Sequence, residues 1–118
     1  MSLKILLKAV EKDGKIDLWL SDNEGNIGVD DLRSVGGRGQ KVKWKLAKDS
    51  NINKILNIYK KEDSEEVFSV KPHKVTDKKW KGVIDKDVEG DEAYNIDFEY
   101  KDGSKVSIDP VISVPPKD

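Results

Sequence analysis

"YKDGSKVSIDP", residues 100–110, contains the turn that decides the fold of this chain. In the run leading into it, apolar residues alternate with polar ones, at Tyr94, Ile96, Phe98 and Tyr100. The same alternation continues beyond the turn with Val106 and Ile108. A period of two is typical of half-buried strands, so the sequence predicts two antiparallel strands joined near Asp102-Gly103.

The length of the connecting loop decides which residues face each other across this hairpin. A two-residue loop would set every apolar side chain opposite a polar one. A loop of residues 101–103 instead pairs Phe98 with Val106 and Ile96 with Ile108, which keeps one face apolar. We therefore predict a type I turn followed by a left-handed residue, a conformation for which the glycine of this loop is suited.

A second hairpin is predicted around Asp13-Gly14, between strands at about 3–10 and 15–21. A two-residue loop there pairs Leu7 with Leu20 and keeps apolar residues together.

Further strands follow along the chain. The clearest is "KVKWKL", residues 41–46, in which lysines point to one side and large apolar residues to the other. Residues 50–60 fit either a helix or a short turn at 50–53 followed by a strand at 55–60, and we favour the turn and strand. "EVFSV" predicts a short strand that ends at Lys71-Pro72, with a loop from His73 to Lys79 and an acidic loop from Asp85 to Glu92. Residues 21–40 are predicted to be mostly loop, with a short strand near Ile27 to Val29.

About eight or nine short strands separated by turn signals predict an all-β fold. We expect one domain over residues 1–118, built as a two-sheet Greek-key β-sandwich.

Spaced aromatic residues between 40 and 114, and the Asp-Pro before the last strand, resemble small bacterial β-sandwich proteins of the cupredoxin-like or immunoglobulin-like class. A cupredoxin binds copper through two histidines, a cysteine and usually a methionine. This chain has one histidine, one methionine and no cysteine, so the copper site is not expected here.

The amino-acid composition argues against several classes of function. The 22 basic and 23 acidic residues give a net charge of -1, which argues against a dedicated nucleic-acid or membrane-surface protein. The absence of cysteine excludes disulfides and thiolate chemistry and fits a cytoplasmic location. Lys4 and Lys8 interrupt the apolar N-terminal run, so no signal peptide is predicted.

The strongest metal candidate is "DKDVEGDE", residues 85–92. Asp85, Asp87 and Glu89 alternate before Gly90, as a calcium loop requires, and Asp91 follows the glycine as a further candidate ligand. The motif departs from an EF-hand because Ile96 occupies its twelfth position. A second, weaker cluster has no glycine in the calcium-loop position and consists of Asp22, Glu24, Asn26, Asp30 and Asp31.

Three other motifs have simpler explanations. "GGRGQK", residues 36–41, lacks the spacing of a phosphate-binding loop and is interpreted as a connector. Lysines interleaved with Trp80 around residues 71–81 could hold a nucleic-acid strand, but Trp80 is predicted to be in the core. His73 has no nucleophile-elbow sequence beside it, so we expect it to be exposed and uninvolved in catalysis.

These observations favour a non-enzymatic binding module without a cofactor, which recognises a protein or glycan partner through loops or a sheet face. The alternatives are a calcium-dependent module that uses the acidic loop and a small enzyme whose site has no recognisable motif. The sequence does not define the oligomeric state.

Overall fold

A computed structural model describes residues 2–29 and 32–116, and within these ranges the chain contains strands and no helix. The strands are β1 (Leu3–Lys12), β2 (Lys15–Asp22), β3 (Ile27–Val29), β4 (Arg33–Val35), β5 (Lys41–Leu46), β6 (Ile52–Lys60), β7 (Phe68–Thr76), β8 (Lys79–Ile84), β9 (Gly90–Tyr100), β10 (Lys105–Ile108) and β11 (Val111–Val114). No helix in the described part of the chain has the length and hydropathy needed to cross a membrane.

Six strands form the first sheet, in the order β3-β2-β1-β5-β8-β7. The neighbours β1 and β5 are parallel, and the other pairs are antiparallel. The hairpin of β1 and β2 has the predicted register, with Leu7 opposite Leu20. Its two loop residues, Asp13 and Gly14, have φ angles of 52° and 79°, as a type I′ turn requires.

The second sheet is centred on β9, the longest strand. One edge of β9 pairs with β10 and β11 and the other with β6, while β4 pairs with β11 in parallel. The register predicted for residues 94–110 is confirmed, because Phe98 faces Val106 and Ile96 faces Ile108. In the connecting loop, Gly103 has a φ of 92° and takes the left-handed position.

The two sheets pack into an all-β sandwich because the apolar positions of both point inward. Trp44 lies between Phe68 and Tyr94, with a ring-centroid distance of 5.8 Å to each. The indole Nε1 of Trp44 donates a hydrogen bond of 3.2 Å to the hydroxyl of Tyr94, so the largest core residue is held in polar as well as apolar contact. Trp80 is also in the core, as predicted.

Several element predictions need correction. The chain has eleven strands rather than eight or nine. The additional strand β4 is only three residues long and lies in the segment predicted to be mostly loop. Its alternation is too short to be visible in the sequence, and its pairing with β11 joins distant parts of the chain.

The predicted end of the strand at Lys71-Pro72 is wrong, because β7 continues through Pro72 to Thr76. This strand is at the edge of its sheet, where the missing N–H of proline costs no ladder hydrogen bond when it faces away from β8. A shift in the pairing between Val70 and His73 accommodates the proline.

Two other boundaries differ. The strand predicted at 55–60 is confirmed but begins earlier, because β6 extends from Ile52 to Lys60, with two register irregularities against β9. The acidic loop ends earlier than predicted, because β9 begins at Gly90 and contains Asp91 and Glu92.

Candidate functional site

The outer face of the six-stranded sheet carries an array of lysines. Along β1, β5 and β8, buried residues that face the core alternate with outward positions, most of which are lysines. The seven lysines, here called the lysine face, are Lys4, Lys8, Lys41, Lys43, Lys45, Lys79 and Lys81.

Strand register brings five of these lysines into two rows across the sheet. Lys43 lies directly opposite Lys4 on one side and Lys81 on the other. In the next row, Lys45 lies opposite Lys79. Because neighbouring strands are about 4.8 Å apart, each row presents a closely spaced line of positive charge. A depression of about 170 Å³ on this face is lined by Lys4, Leu6, Lys43, Lys45 and Lys79.

The charge of the lysine face is not neutralised locally. Within residues 2–29 and 32–116, none of its seven lysines forms an ion pair. Partial burial and the neighbouring charges of Lys79, Lys81, Lys4 and Lys41 lower the pKa of Lys43. Since the whole chain has a net charge of -1, the rest of the molecule is net acidic. Positive charge is therefore concentrated on one face of the molecule, and the net charge of the whole chain does not reveal this.

An apolar patch borders the lysine face on β1, β2 and β3. Trp19 is half exposed and lies between Lys8 and Val29 in the register of the sheet. Leu6 and Ile27 are exposed beside it. The indole of Trp19 therefore presents a flat apolar surface next to positive charge.

A second feature is a cavity of about 370 Å³ near the edge where β6 and β7 approach each other. Its lining contains Glu92 of β9, whose side chain is buried and accepts a hydrogen bond of 2.9 Å from the backbone N–H of Val67. Burial is the main cause that raises the pKa of Glu92 to about 6, and the nearby charge of Glu66 adds to it.

The four residues of the predicted calcium loop are divided between a loop and a strand. Asp85 Oδ1 accepts a hydrogen bond from the backbone N–H of Asp87, and Glu89 is exposed. Asp91 is on β9, where its carboxylate contacts the Ser113 hydroxyl and the Arg33 guanidinium. The Ser113 hydrogen bond is the main cause that lowers the pKa of Asp91, and Arg33 adds to it.

In the described ranges, no three His, Asp or Glu side chains form a group that could hold a metal ion. The calcium hypothesis stays a prediction. A thermal melt in millimolar Ca²⁺ and in chelator tests it, with Asp87→Asn as the variant that should lose any shift.

The second acidic cluster organises a turn. The Asp22 carboxylate accepts hydrogen bonds from the Asn26 side chain and from the backbone N–H groups of Glu24 and Asn26. It also accepts one of 2.6 Å from the hydroxyl of the buried Ser34. Burial would raise the pKa of Asp22, but these hydrogen bonds outweigh it and lower the pKa. Asp30 and Asp31 lie outside the described residues.

The remaining motifs lie on an edge strand and in a connector. His73 is exposed on the edge strand β7, and its Nδ1 lies 3.0 Å from the carbonyl oxygen of Lys71. Residues 36–40 form a connector in which Gln40 accepts a hydrogen bond from the backbone N–H of Gly37.

The sequence predicts the outward lysines of β5 but not the lysine face as a unit. Its other members come from β1 and β8, and only the pairing of β5 with both strands makes them neighbours. Glu92 was also missed, because it was counted as part of an exposed acidic loop. Its position in the period-2 pattern of β9, in phase with Tyr94 and Ile96, was the available signal.

Comparison with known proteins adds little. No family model matches this chain, and no curated protein matches it. Among solved structures, an endo-fucoidan hydrolase from glycoside hydrolase family 107 is similar, with a TM-score of 0.49 and 10% sequence identity. The alignment covers 98% of this chain and 24% of that enzyme, so this chain spans about a quarter of its length. A likeness of this extent carries no inference about function, and the resemblance to cupredoxin-like or immunoglobulin-like proteins stays a prediction.

Proposed function

We propose that this protein is a non-enzymatic binding module that holds an acidic polysaccharide on its lysine face. The observation that carries the proposal is the row of Lys4, Lys43 and Lys81, three like charges placed side by side on a flat sheet. Like charges directly opposite one another destabilise a sheet. A bound polyanion would turn this cost into a favourable interaction.

Electrostatics supports an anionic partner. Seven lysines without ion pairs among the described residues share one face, while the rest of the molecule is net acidic. Such a distribution steers a polyanion toward one side and repels it from the other.

The chemistry of the face favours an acidic polysaccharide over a nucleic acid. None of the seven positions is an arginine. Arginine is the residue that recognises bases and binds phosphate through two hydrogen bonds. Single-stranded nucleic acids are held by several aromatic rings in succession, whereas this face exposes Trp19 alone. One indole suffices to stack on the apolar side of a pyranose ring. The 4.8 Å strand spacing, about the length of one pyranose unit, lets neighbouring lysines meet carboxylates or sulfates along an extended chain.

Binding to immobilised heparin and to polygalacturonate, measured over a range of salt concentrations, tests the proposal. The wild type should bind both at low salt and dissociate as salt screens the contacts. Lys43→Gln/Lys81→Gln should bind roughly tenfold more weakly, because each exposed pair contributes up to about 1 kcal/mol. Trp19→Ala should also weaken binding without changing its dependence on salt.

The matched control is Lys101→Gln/Lys105→Gln, which removes the same charge near the β9–β10 turn of the other sheet and should bind like the wild type. Tighter binding of single-stranded DNA than of either polysaccharide would overturn the assignment of the partner, as would tighter binding of polyglutamate. Equal losses in both double variants would overturn the lysine face as the site.

A further inference from the structure

The cavity that contains Glu92 is separate from the lysine face. Its volume of about 370 Å³ lies within the range of small-molecule sites. Apolar and aromatic residues form half of its walls and charged residues the other half, and the lining consists of Ile58, Tyr59, Lys60, Glu66, Phe68, Lys71, Pro72 and Glu92.

The carboxyl of Glu92 can accept more hydrogen bonds than it receives. Its side chain is buried, with 1% of the residue exposed. Oε1 accepts the hydrogen bond from Val67 N–H, and the described residues provide no second hydrogen bond to the carboxyl. A carboxylate can accept about four, so a buried one with a single donor is poorly compensated.

The two lysines of the cavity do not compensate it. Lys60 Nζ donates to the backbone carbonyls of Lys61, Glu62 and Ser64. Lys71 Nζ lies 4.0 Å from a carboxylate oxygen of Glu66. Burial, the largest cause, raises the pKa of Glu92, and the opposing charges of both lysines do not reverse this shift. On β9 itself, the Tyr94 hydroxyl is engaged by Trp44.

We propose that this cavity binds a small organic cation, a primary ammonium group attached to a ring or short apolar body. The ammonium would donate hydrogen bonds to Glu92, and the body would pack against Phe68 and the ring of Tyr59. A charge-assisted hydrogen bond inside a partly enclosed cavity is among the stronger polar contacts available. This site is independent of the polysaccharide proposal, and either can fail alone.

Binding of this ligand depends on the proton of Glu92. The cation pairs with the ionised carboxyl, so a protonated Glu92 must first release its proton. With a pKa of about 6 for Glu92, affinity should be roughly tenfold weaker at about pH 5 than at about pH 7.5. Glu66, Lys60 and Lys71 are the other charged groups that act on this carboxyl.

Benzylamine, benzyl alcohol and benzoate are suitable probes because they share one ring and differ in charge. Titration followed by NMR chemical shifts should show benzylamine bound at the cavity, with benzyl alcohol at least about tenfold weaker and benzoate unbound. Glu92→Gln should lose the preference for the amine. Glu62→Gln, which removes a charge outside the cavity, should retain it.

Three results would overturn the proposal: no shift with millimolar benzylamine, equal affinity for benzylamine and benzyl alcohol, or unchanged affinity in Glu92→Gln. If that variant does not fold, the pH dependence of the wild type decides instead. Affinity that does not weaken between about pH 7.5 and pH 5 contradicts pairing with Glu92.

Discussion

Lys43 on β5 lies directly opposite Lys81 on β8, with both side chains on the outer face of the six-stranded sheet. Lys4 occupies the same row on the other side of Lys43. The central lysine of this row is therefore flanked by like charge in both directions.

Replacing the central lysine by an acid should stabilise the fold. Lys43→Glu exchanges two repulsive cross-strand pairs for two attractive ones, so the Tm should rise. Added salt should raise the Tm of the wild type more than that of the variant, because it screens the repulsion. Lys105→Glu is the mirror control, since Lys105 faces Glu99 and the variant should have a lower Tm. A lower Tm for Lys43→Glu than for the wild type would refute the repulsion.

The turn of the β9–β10 hairpin should depend on its glycine. Gly103 has a φ of 92° and open space around the position of a Cβ, so Gly103→Ala tests backbone strain alone. We expect a loss of about 1–2 kcal/mol in the free energy of unfolding, measured by denaturant titration. Gly37→Ala, where the Cβ would make an ordinary contact at 3.6 Å, should be near neutral. Equal stabilities of the two variants would contradict the assigned turn.

The hydrogen bond between Trp44 and Tyr94 should stabilise the core. Tyr94→Phe leaves the buried indole Nε1 of Trp44 without its acceptor, which costs about 1–3 kcal/mol. Tyr59→Phe removes a longer hydrogen bond, 3.4 Å to Asp97, from an exposed side chain and should cost less than about 0.5 kcal/mol. Denaturant unfolding of both variants provides the comparison, and a loss in Tyr94→Phe no larger than in Tyr59→Phe would argue against this role.

Glu92 should make the stability of the fold depend on pH. Its pKa is raised from 4.5 to about 6 in the folded state, so the folded protein binds this proton more tightly than the unfolded chain. Its contribution is therefore most favourable below about pH 4.5 and declines by about 1–2 kcal/mol as the pH rises to about 6.

Glu92→Gln removes this titration while keeping an oxygen for Val67 N–H. The free energy of unfolding of the variant should therefore increase relative to that of the wild type as the pH rises from 4.5 to 6. Urea titrations across that range measure it. A difference that stays constant with pH would show that Glu92 has an ordinary pKa.

Local patterns predicted much of this fold. Both hairpins could be assigned because a shift of one residue would have moved Phe98 or Leu7 out of the apolar face. The lysine alternation of β5 and the inward position of Trp80 were visible for the same reason. These features depend on residues close in the chain, and periodicity reports on them directly.

The remaining features depend on contacts between distant segments. The sequence of β7 gives no sign that it is an edge strand, so the sequence pattern predicts an end at Pro72. Net charge could not show that lysines from three strands gather on one face. In the sequence, Glu92 looks like its exposed acidic neighbours. It differs from them only because β9 directs its side chain into the interior.

The most direct test of the central claim is the dependence of heparin affinity on salt. The slope of log Kd against log salt concentration reports how many cations contact the polyanion. We predict a smaller slope for Lys43→Gln/Lys81→Gln than for the wild type, and an unchanged slope for Lys101→Gln/Lys105→Gln. Equal slopes in all three proteins, or no binding of the wild type at low salt, would contradict a polyanion site on the lysine face.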